Sequence, residues 1–155
     1  MNESFVEIKG DYWNHIRNGY DAICFTSNRS LDTHCNLIMG AGIAKQFKDK
    51  FPHLPAEFGA RALTDGSFNG LMVSDSVSDF YIVAFPTKNH WKENSDLTLI
   101  KNSFNILTML LCTMGWKKVL MTRPGCGLGK LDWEKDVKPL VPTDKRIHII
   151  HNETA

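Results

Sequence analysis

Two glycine-rich stretches carry the residues of this sequence best suited to bind a ligand. The first is Met39–Pro52, MGAGIAKQFKDKFP, and the second is Pro124–Trp133, PGCGLGKLDW. Glycine lets the backbone approach a ligand closely, and the free N–H groups at the start of a helix attract anions. If the two stretches close on one crevice, they would form a cradle for a diphosphate.

Neither stretch matches a standard phosphate-binding motif. No G-x-x-x-x-G-K-[ST] occurs, and Lys45 stands where the third glycine of a dinucleotide fingerprint should be. Glycines before a helix are more often explained by tight packing, so these glycines alone favour packing over phosphate binding.

An aspartate and two asparagines follow the first two predicted strands. Asp11 comes just after the strand Phe5–Lys9, where an aspartate is most often a helix cap. A carboxylate has two acceptor oxygens, so Asp11 could also bind a ligand. The strand Asp21–Thr26 leads into a polar loop that contains Asn28 and Asn36. Either asparagine could contact a ligand, and turn formation explains each equally well.

Lys88 lies in a loop at the end of another predicted strand. The run Phe80–Phe85 is continuously apolar, and Pro86 ends it and directs Thr87–Trp91 into a loop. Loops at strand ends are where α/β folds place binding and catalytic groups. A loop lysine is by default a solvated charge, so only this context singles out Lys88.

Cys126, between two glycines, could be a nucleophile. A phosphatase loop of the cysteine type would need an arginine six residues later, where the sequence has Asp132. A papain-like thiol would need a histidine partner that the sequence cannot place. Cys126 is better explained as a small side chain in a tight loop. We expect Asp132 to cap the next helix, and Trp133 either to pack or to stack on a base at the pocket mouth.

Helices alternate with strands along the rest of the chain. The clearest helix is Ser95–Met114, with Asp96 in its first turn and Gly115 as its stop. The other predicted elements are a short segment at Tyr12–Asn18, helices from Ile43 to Phe51, at Ala56–Leu63 and at Leu131–Val141, and strands at Gly70–Val73, Val119–Thr122 and Arg146–His151. This alternation predicts one layered α/β domain over residues 1–155, with a mixed sheet.

The composition sets limits on partners and location. The formal net charge of +1 provides no global attraction to nucleic acid or membrane, so any nucleic acid would have to be held locally. The start of the chain has no signal-peptide pattern, the four cysteines form no C-x-x-C pair, and the most apolar run, Ile106–Cys112, is too short to span a bilayer. We therefore expect free thiols in a reducing cytoplasm. His34 and Cys35 have no further ligands at zinc-like spacing, so we expect no metal and no cofactor.

Five short motifs follow one another across nearly the whole chain. They are Lys9-Gly10-Asp11, Ser27-Asn28, Met39-Gly40-Ala41-Gly42-Ile43-Ala44, Phe85-Pro86-Thr87-Lys88 and Gly125-Cys126-Gly127-Leu128. In this order they resemble the signature of a macro domain, a three-layer α/β/α fold that binds ADP-ribose. The sequence is most similar to the glycohydrolase branch of this family, and it resembles terminal ADP-ribose protein glycohydrolase and the antitoxin that removes ADP-ribose from DNA. Similar small proteins occur in bacteria and their phages.

The resemblance implies roles for individual residues. Lys88 matches the catalytic lysine of that branch, Asn28 matches the asparagine at the distal ribose, and Asp11 matches the aspartate at the adenine amino group. The remaining ligand-binding residues that it implies are Tyr12, Met39, Gly40, Ala41, Gly42, Ile43, Gly125, Cys126, Gly127, Leu128 and Gly129. Gly129 departs from the pattern, because the protein-directed enzyme has an aspartate there, whereas the DNA-directed antitoxin also lacks it.

Three functions are compatible with these residues. The implied one is hydrolytic removal of ADP-ribose from a modified protein or nucleic acid, with Lys88 attacking the ribose C1″ or stabilising the departing group. The alternatives are a phosphatase of ADP-ribose 1″-phosphate and a non-catalytic ADP-ribose-binding module. All three need the same adenine and diphosphate contacts, so only Lys88 discriminates between them.

Overall fold

A twisted sheet with helices on both faces forms the framework of the protein. The computed structural model describes residues 4–64 and 70–152, and within them it contains six strands in the order β1-β6-β5-β2-β4-β3. The strands are β1 Val6–Lys9, β2 Ala22–Ser27, β3 Met72–Ser74, β4 Tyr81–Pro86, β5 Val119–Thr122 and β6 Ile147–His151. The α-helices are α1 Tyr12–His15, α2 Gly42–Lys50, α3 Leu54–Thr64 and α4 Leu97–Met114.

All strands except β3 run parallel. The central strand β2 pairs in parallel with β4 on one side and with β5 on the other, and β6 and β1 continue the parallel arrangement. The edge strand β3 is antiparallel to β4, so the sheet is mixed, as predicted. The carboxyl ends of β1, β2, β4, β5 and β6 therefore meet at one edge of the sheet.

Alternate residues of strands β2 to β6 supply two separate hydrophobic cores. Ile23 and Phe25 face a core that α2 and α3 cover with Phe47 and Phe58. On the opposite face, Cys24 and its neighbours pack against α4, whose contribution is Ile100, Phe104, Leu107 and Leu111. Because side chains alternate across a strand, an unbroken apolar strand needs a helical layer on each side. The three-layer α/β/α architecture is confirmed.

Helix α4 ends as the sequence predicts but begins at Leu97, after the predicted start at Ser95, with Asp96 as its N-cap. Asp96 caps its first turn by accepting hydrogen bonds from the backbone of Thr98 and Leu99, and Gly115 ends it in the left-handed conformation with φ 68°. Among the described helices, α4 is long and apolar enough, by length and composition alone, to cross a membrane. In this structure its apolar stripe packs on the sheet.

The prediction of an α-helix at Leu131–Val141 is wrong, because the segment forms other kinds of helical turn. The structure has a single π-helical turn at Trp133–Val137, followed by a 3₁₀ turn at Lys138–Leu140. Pro139 lies in this segment, and proline lacks the N–H that a continuing α-helix needs. The predicted helix stop at Asp65 and Gly66 lies outside the described residues.

The polar loop after β2 is fixed in place by α3. The backbone N–H of Leu37 donates to the carbonyl of Pro55 at 2.9 Å, and Leu37 is buried in the core. A Cβ built on Gly59 would collide with the carbonyl oxygen of Cys35. The loop can therefore lie this close to α3 only because residue 59 is glycine.

We expect Gly59→Ala to lower the free energy of unfolding. Alanine would gain about 1 kcal/mol of helix propensity, but a backbone collision in a packed site costs about 1–3 kcal/mol, and the collision should outweigh the gain. Urea unfolding would measure the difference. Gly40→Ala is the matched control, because a Cβ there meets nothing within 4 Å. Equal stability of Gly59→Ala and the wild type would mean that the loop is not held against α3.

Candidate functional site

A cleft of about 1490 Å³ lies over the carboxyl ends of the parallel strands. Every residue predicted for the site lines this cleft. These are Asp11, Tyr12, Asn28, Met39, Gly40, Ala41, Gly42, Ile43, Lys88, Gly125, Cys126, Gly127, Leu128 and Gly129. They come from loops after β1, β2, β4 and β5, which the parallel pairing brings to one edge.

The first glycine loop presents backbone N–H groups at the start of α2. Ala41 is the extended N-cap, and Gly42 follows with φ +59°, a conformation that favours glycine. The first helical hydrogen bond runs from Lys45 N to Ala41 O, so the N–H groups before Lys45 have no partner within the helix. Gly40 to Gly42 are exposed. This helix start is suited to bind an anion.

The second glycine loop faces the first. Gly125 is buried with φ +77°, whereas Gly127 and Leu128 are exposed. A Cβ built on Gly42 would lie 3.5 Å from Leu128 Cδ1, so the two loops approach each other across the cleft. A Cβ on Gly127 would meet nothing within 4 Å, which leaves the space beside that backbone open.

Gly129 has a steric reason to be glycine. A Cβ there would collide with the Ser95 hydroxyl and would lie 2.7 Å from the carbonyl oxygen of Gly125. Ser95 N also donates to Gly129 O at 3.2 Å, which joins the second glycine loop to the segment before α4. An aspartate at this position would not fit without displacing both neighbours.

The Asp11 carboxylate caps α1 and keeps one oxygen available. Its Oδ2 accepts a hydrogen bond from Asn14 N at 3.0 Å, which confirms the predicted cap. Tyr12 is largely committed to the core, because its buried hydroxyl donates to Cys24 O at 3.0 Å and burial raises its pKa well above the usual value. Asp11 is thus the more suitable of the two to contact a ligand through its side chain.

Asn28 is buried, and its side chain stabilises the loop after β2 through hydrogen bonds to the backbone of that loop. Its Nδ2 donates to Ile38 O at 3.0 Å, and its Oδ1 accepts from Ser30 N at 2.9 Å. The turn-forming role considered for Asn28 is therefore real. Asn36 also lines the cleft and bonds to Asp32 through its backbone N–H at 2.9 Å. An amide has further donor and acceptor capacity, so either asparagine can still contact a ribose.

Lys88 is half-buried immediately after β4. The preceding residue, Thr87, is buried and its N–H donates to Ser27 O at 2.9 Å, which extends the pairing of β4 with β2. Asp96 N donates to Thr87 O at 2.8 Å, so the loop that begins at Lys88 ends beside Thr87, at the start of α4. Lys88 therefore projects from a fixed backbone.

Cys126 is poorly suited to nucleophilic catalysis. Burial raises the pKa of its thiol to about 11, and the nearby Asp132 and Asp136 carboxylates act in the same direction against the opposing Arg123 charge. Its Sγ contacts Pro124 O at 3.5 Å. Because the thiolate is the nucleophile, a thiol held protonated at neutral pH is unreactive.

Asp132 and Trp133 are structural. Asp132 caps the π-helical turn by accepting from Lys135 N at 2.7 Å. Trp133 is buried, its indole N–H donates to Glu7 at 3.1 Å, and the Arg123 guanidinium lies 4.9 Å from its ring centroid. Of the two roles considered for Trp133, the structure shows packing.

Several lining residues were not predicted from the sequence. Trp13 lines the cleft, and its indole N–H donates to Gln46 at 2.6 Å. Trp91 and Ser95 lie on the Lys88 side. The position of Trp91 in a strand-end loop was a usable signal, but the contact of Ser95 with Gly129 arises only in the folded chain. Within residues 4–64 and 70–152, no group of three or more His, Cys, Asp or Glu side chains could hold a metal ion.

Similarity to known proteins agrees with this geometry, although no family model matches the sequence. The DNA ADP-ribosyl glycohydrolase of Mycobacterium tuberculosis is 30% identical over 112 residues, which cover 70% of this chain and 32% of that protein. A DNA ADP-ribosyl transferase-DNA ADP-ribosyl glycohydrolase fusion protein of Thermosipho africanus is 29% identical over 130 residues, and the match covers 34% of that protein. The chain thus spans about a third of the length of these curated relatives.

Solved structures of other proteins share the fold. The macrodomain of Mycobacterium tuberculosis DarG superposes with a TM-score of 0.77 and 28% identity, over 96% of this chain and 97% of that one. Thermosipho africanus DarTG in complex with ADP-ribose gives a TM-score of 0.77 at 22% identity, over 95% of this chain and 41% of that one. The chain therefore has the macro domain fold, and it is similar to macrodomains of the DarG type.

We expect Gly127→Glu to fold normally and to lose affinity for ADP-ribose. The new side chain has open space, but its carboxylate would face the diphosphate, and like charges at contact distance repel by several kcal/mol even with partial screening. Calorimetry should show a loss of roughly 10-fold or more. Gly127→Gln, of the same size without the charge, should lose less. Normal binding by Gly127→Glu would exclude a phosphate contact for this loop.

Proposed function

We propose that this protein is an ADP-ribosyl hydrolase that releases ADP-ribose from a modified macromolecule, with ADP-ribosylated DNA as the preferred substrate. The observation that carries the proposal is the convergence of Asp11, both glycine loops and Lys88 on one cleft. The names of the relatives, which are DNA ADP-ribosyl glycohydrolases, favour DNA over protein.

The cleft offers a complementary group for each part of ADP-ribose. The free oxygen of Asp11 would accept from the adenine amino group, and the N–H groups of Gly40–Ile43 and Gly125–Leu128 would bind the diphosphate. Asn28 or Asn36 would contact the distal ribose near Lys88. At about 1490 Å³ the cleft exceeds the roughly 300–1,000 Å³ typical of small-molecule sites, which leaves room for the group that carries the ADP-ribose.

The reaction replaces the bond between ribose C1″ and its substituent with a bond to a water oxygen. The departing group takes up a proton and the water loses one, so the reaction needs no oxidant or reductant. Lys88 would act either as an amine that attacks C1″ or as an ammonium that stabilises the departing group. With glycine at position 129, the residue directly after Leu128 carries no carboxylate to resolve a lysine adduct. We therefore favour the ammonium role, without a long-lived adduct.

Asp11→Asn tests the adenine contact without removing the helix cap. Asparagine caps a helix as well as aspartate does, so the melting temperature should not change. Its second terminal atom, however, is a donor and would face the adenine amino group. Calorimetry should show ADP-ribose affinity lowered by about 1–3 kcal/mol. Asp11→Ala should lose similar affinity and also some stability. Unchanged affinity in both variants would rule out Asp11 as the adenine contact.

Lys88→Ala tests the chemistry. We expect ADP-ribose affinity within a few-fold of wild type and no detectable turnover, the pattern of an interaction made only in the transition state. Turnover would be measured as ADP-ribose released from ADP-ribosylated DNA, ADP-ribosylated protein and, as phosphate, from ADP-ribose 1″-phosphate.

Two controls sharpen this experiment. Lys101→Ala removes an exposed lysine outside the cleft and should retain full turnover. Lys88→Arg keeps the charge but not an amine, so partial activity would favour the ammonium role. Equal turnover by wild type and Lys88→Ala would remove Lys88 from the mechanism. A wild type that binds ADP-ribose but turns over none of the substrates would be a binding module.

A further inference from the structure

A second surface lies beside Lys88 and is not used by any part of ADP-ribose assigned above. It is the Trp91 loop, residues Asn89–Ser95. Trp91 lines the cleft, and 47% of its surface is exposed, which is unusual for the largest apolar side chain. Its sequence, NHWKENS, carries one lysine, Lys92, next to Trp91 and one carboxylate, Glu93.

The Trp91 loop is fastened at both ends. Near its start, Asn89 O accepts hydrogen bonds from Arg29 N and from Ser30 Oγ, both at 3.1 Å. Asn89 Oδ1 also accepts from Arg29 Nε at 2.9 Å. At its end, Ser95 N is bonded to Gly129 O. The loop is therefore pre-organised, so a ligand binding to it would lose little entropy in ordering it.

Trp91 is held flat on a neighbouring ring. The His90 and Trp91 rings are stacked, with centroids 5.8 Å apart and planes inclined by 24°. His90 is itself oriented, because its Nδ1 accepts from Lys92 N at 3.2 Å. The Lys92 ammonium lies 5.0 Å from the Trp91 ring centroid. The loop thus combines an exposed aromatic ring with a flexible cation at the mouth of the cleft.

We propose that the Trp91 loop binds the nucleic-acid strand on either side of the modified nucleotide. Trp91 stacks on a neighbouring base, and Lys92 leaves the indole ring to contact a backbone phosphate. This inference rests on the proposed function, because it assigns the part of the substrate that lies beyond the ADP-ribose. It makes Trp91 a determinant of substrate choice and not of the chemical step.

The chemistry of the loop favours a single strand over a peptide or a duplex. Aromatic rings interleaved with cations are the usual means of holding single-stranded nucleic acid, because every base has a face that can stack. The bases of a duplex are already stacked on one another. The overall charge of only +1 provides no long-range attraction, so binding a strand requires a local device of this kind.

The test compares two substrates that differ only in flanking nucleotides. One is a short single-stranded DNA with one ADP-ribosylated base, and the other is the same ADP-ribosylated nucleoside alone. We expect Trp91→Ala to raise KM for the strand by roughly 10-fold, with kcat and the rate on the nucleoside unchanged. Trp91→Phe should restore most of the loss, because phenylalanine still stacks.

Control variants distinguish the effect of Trp91 from the effect of losing any exposed apolar side chain or any lysine. Leu63→Ala truncates another exposed apolar side chain, 57% accessible and outside the cleft, and should have no effect. Lys92→Ala should lower the salt dependence of strand binding by about one unit of slope, whereas Lys101→Ala should not. Calorimetry with free ADP-ribose should give the same affinity for Trp91→Ala and wild type.

Each remaining outcome is decisive. If Trp91→Ala leaves the strand unaffected, or weakens the strand and the nucleoside equally, the inference is overturned. A larger loss on an ADP-ribosylated peptide than on DNA would also overturn it and would assign the loop to a protein substrate. Failure of the proposed function is distinct, because the wild type would then release ADP-ribose from neither DNA substrate. In that case, the affinities of wild type and Trp91→Ala for single-stranded DNA still test the loop, and equal affinities would overturn the inference.

Discussion

The parallel pairing of β2 with both β4 and β5 is the constraint on which the rest of the structure depends. Parallel strands end at the same edge, so the residues that follow β2, β4 and β5 are brought together although they are far apart in sequence. The same pairing buries both faces of β2, and this burial requires α2 and α3 on one side and α4 on the other. The strand pairing that forms the core therefore also brings the loops of the site together.

Much of the framework could be predicted because its signals are local. The apolar strands, the helix that starts near Asp96 and the Gly115 stop depend on residues near each other in the chain, and the structure confirms them. The prediction of one helix over Leu131–Val141 is wrong, and Pro139 lacks the N–H that a continuing α-helix would need. The site residues could be assigned because five motifs in order resemble a known family. The residue types alone did not distinguish glycines that permit packing from glycines that bind a ligand.

The parts that could not be predicted depend on close approach between distant segments. Nothing near Gly59 in the sequence shows that the Cys35 carbonyl lies against it, and nothing near Gly129 indicates Ser95. Both glycines are buried at contacts, whereas Gly127 is exposed beside open space. Glycines of identical appearance in the sequence therefore serve two purposes, and only the folded chain separates those that permit packing from those that leave room for a ligand.

The attachment of the Trp91 loop has a consequence for how this protein can evolve. Its anchors, Asn89 and Ser95, bond to backbone atoms of elements that also shape the cleft, but the residues between them point away from the core and are exposed. Substitutions at positions 90–94 can therefore accumulate without a cost to folding. Substitutions in this short segment would change the surface beside the cleft while the cleft itself stays the same.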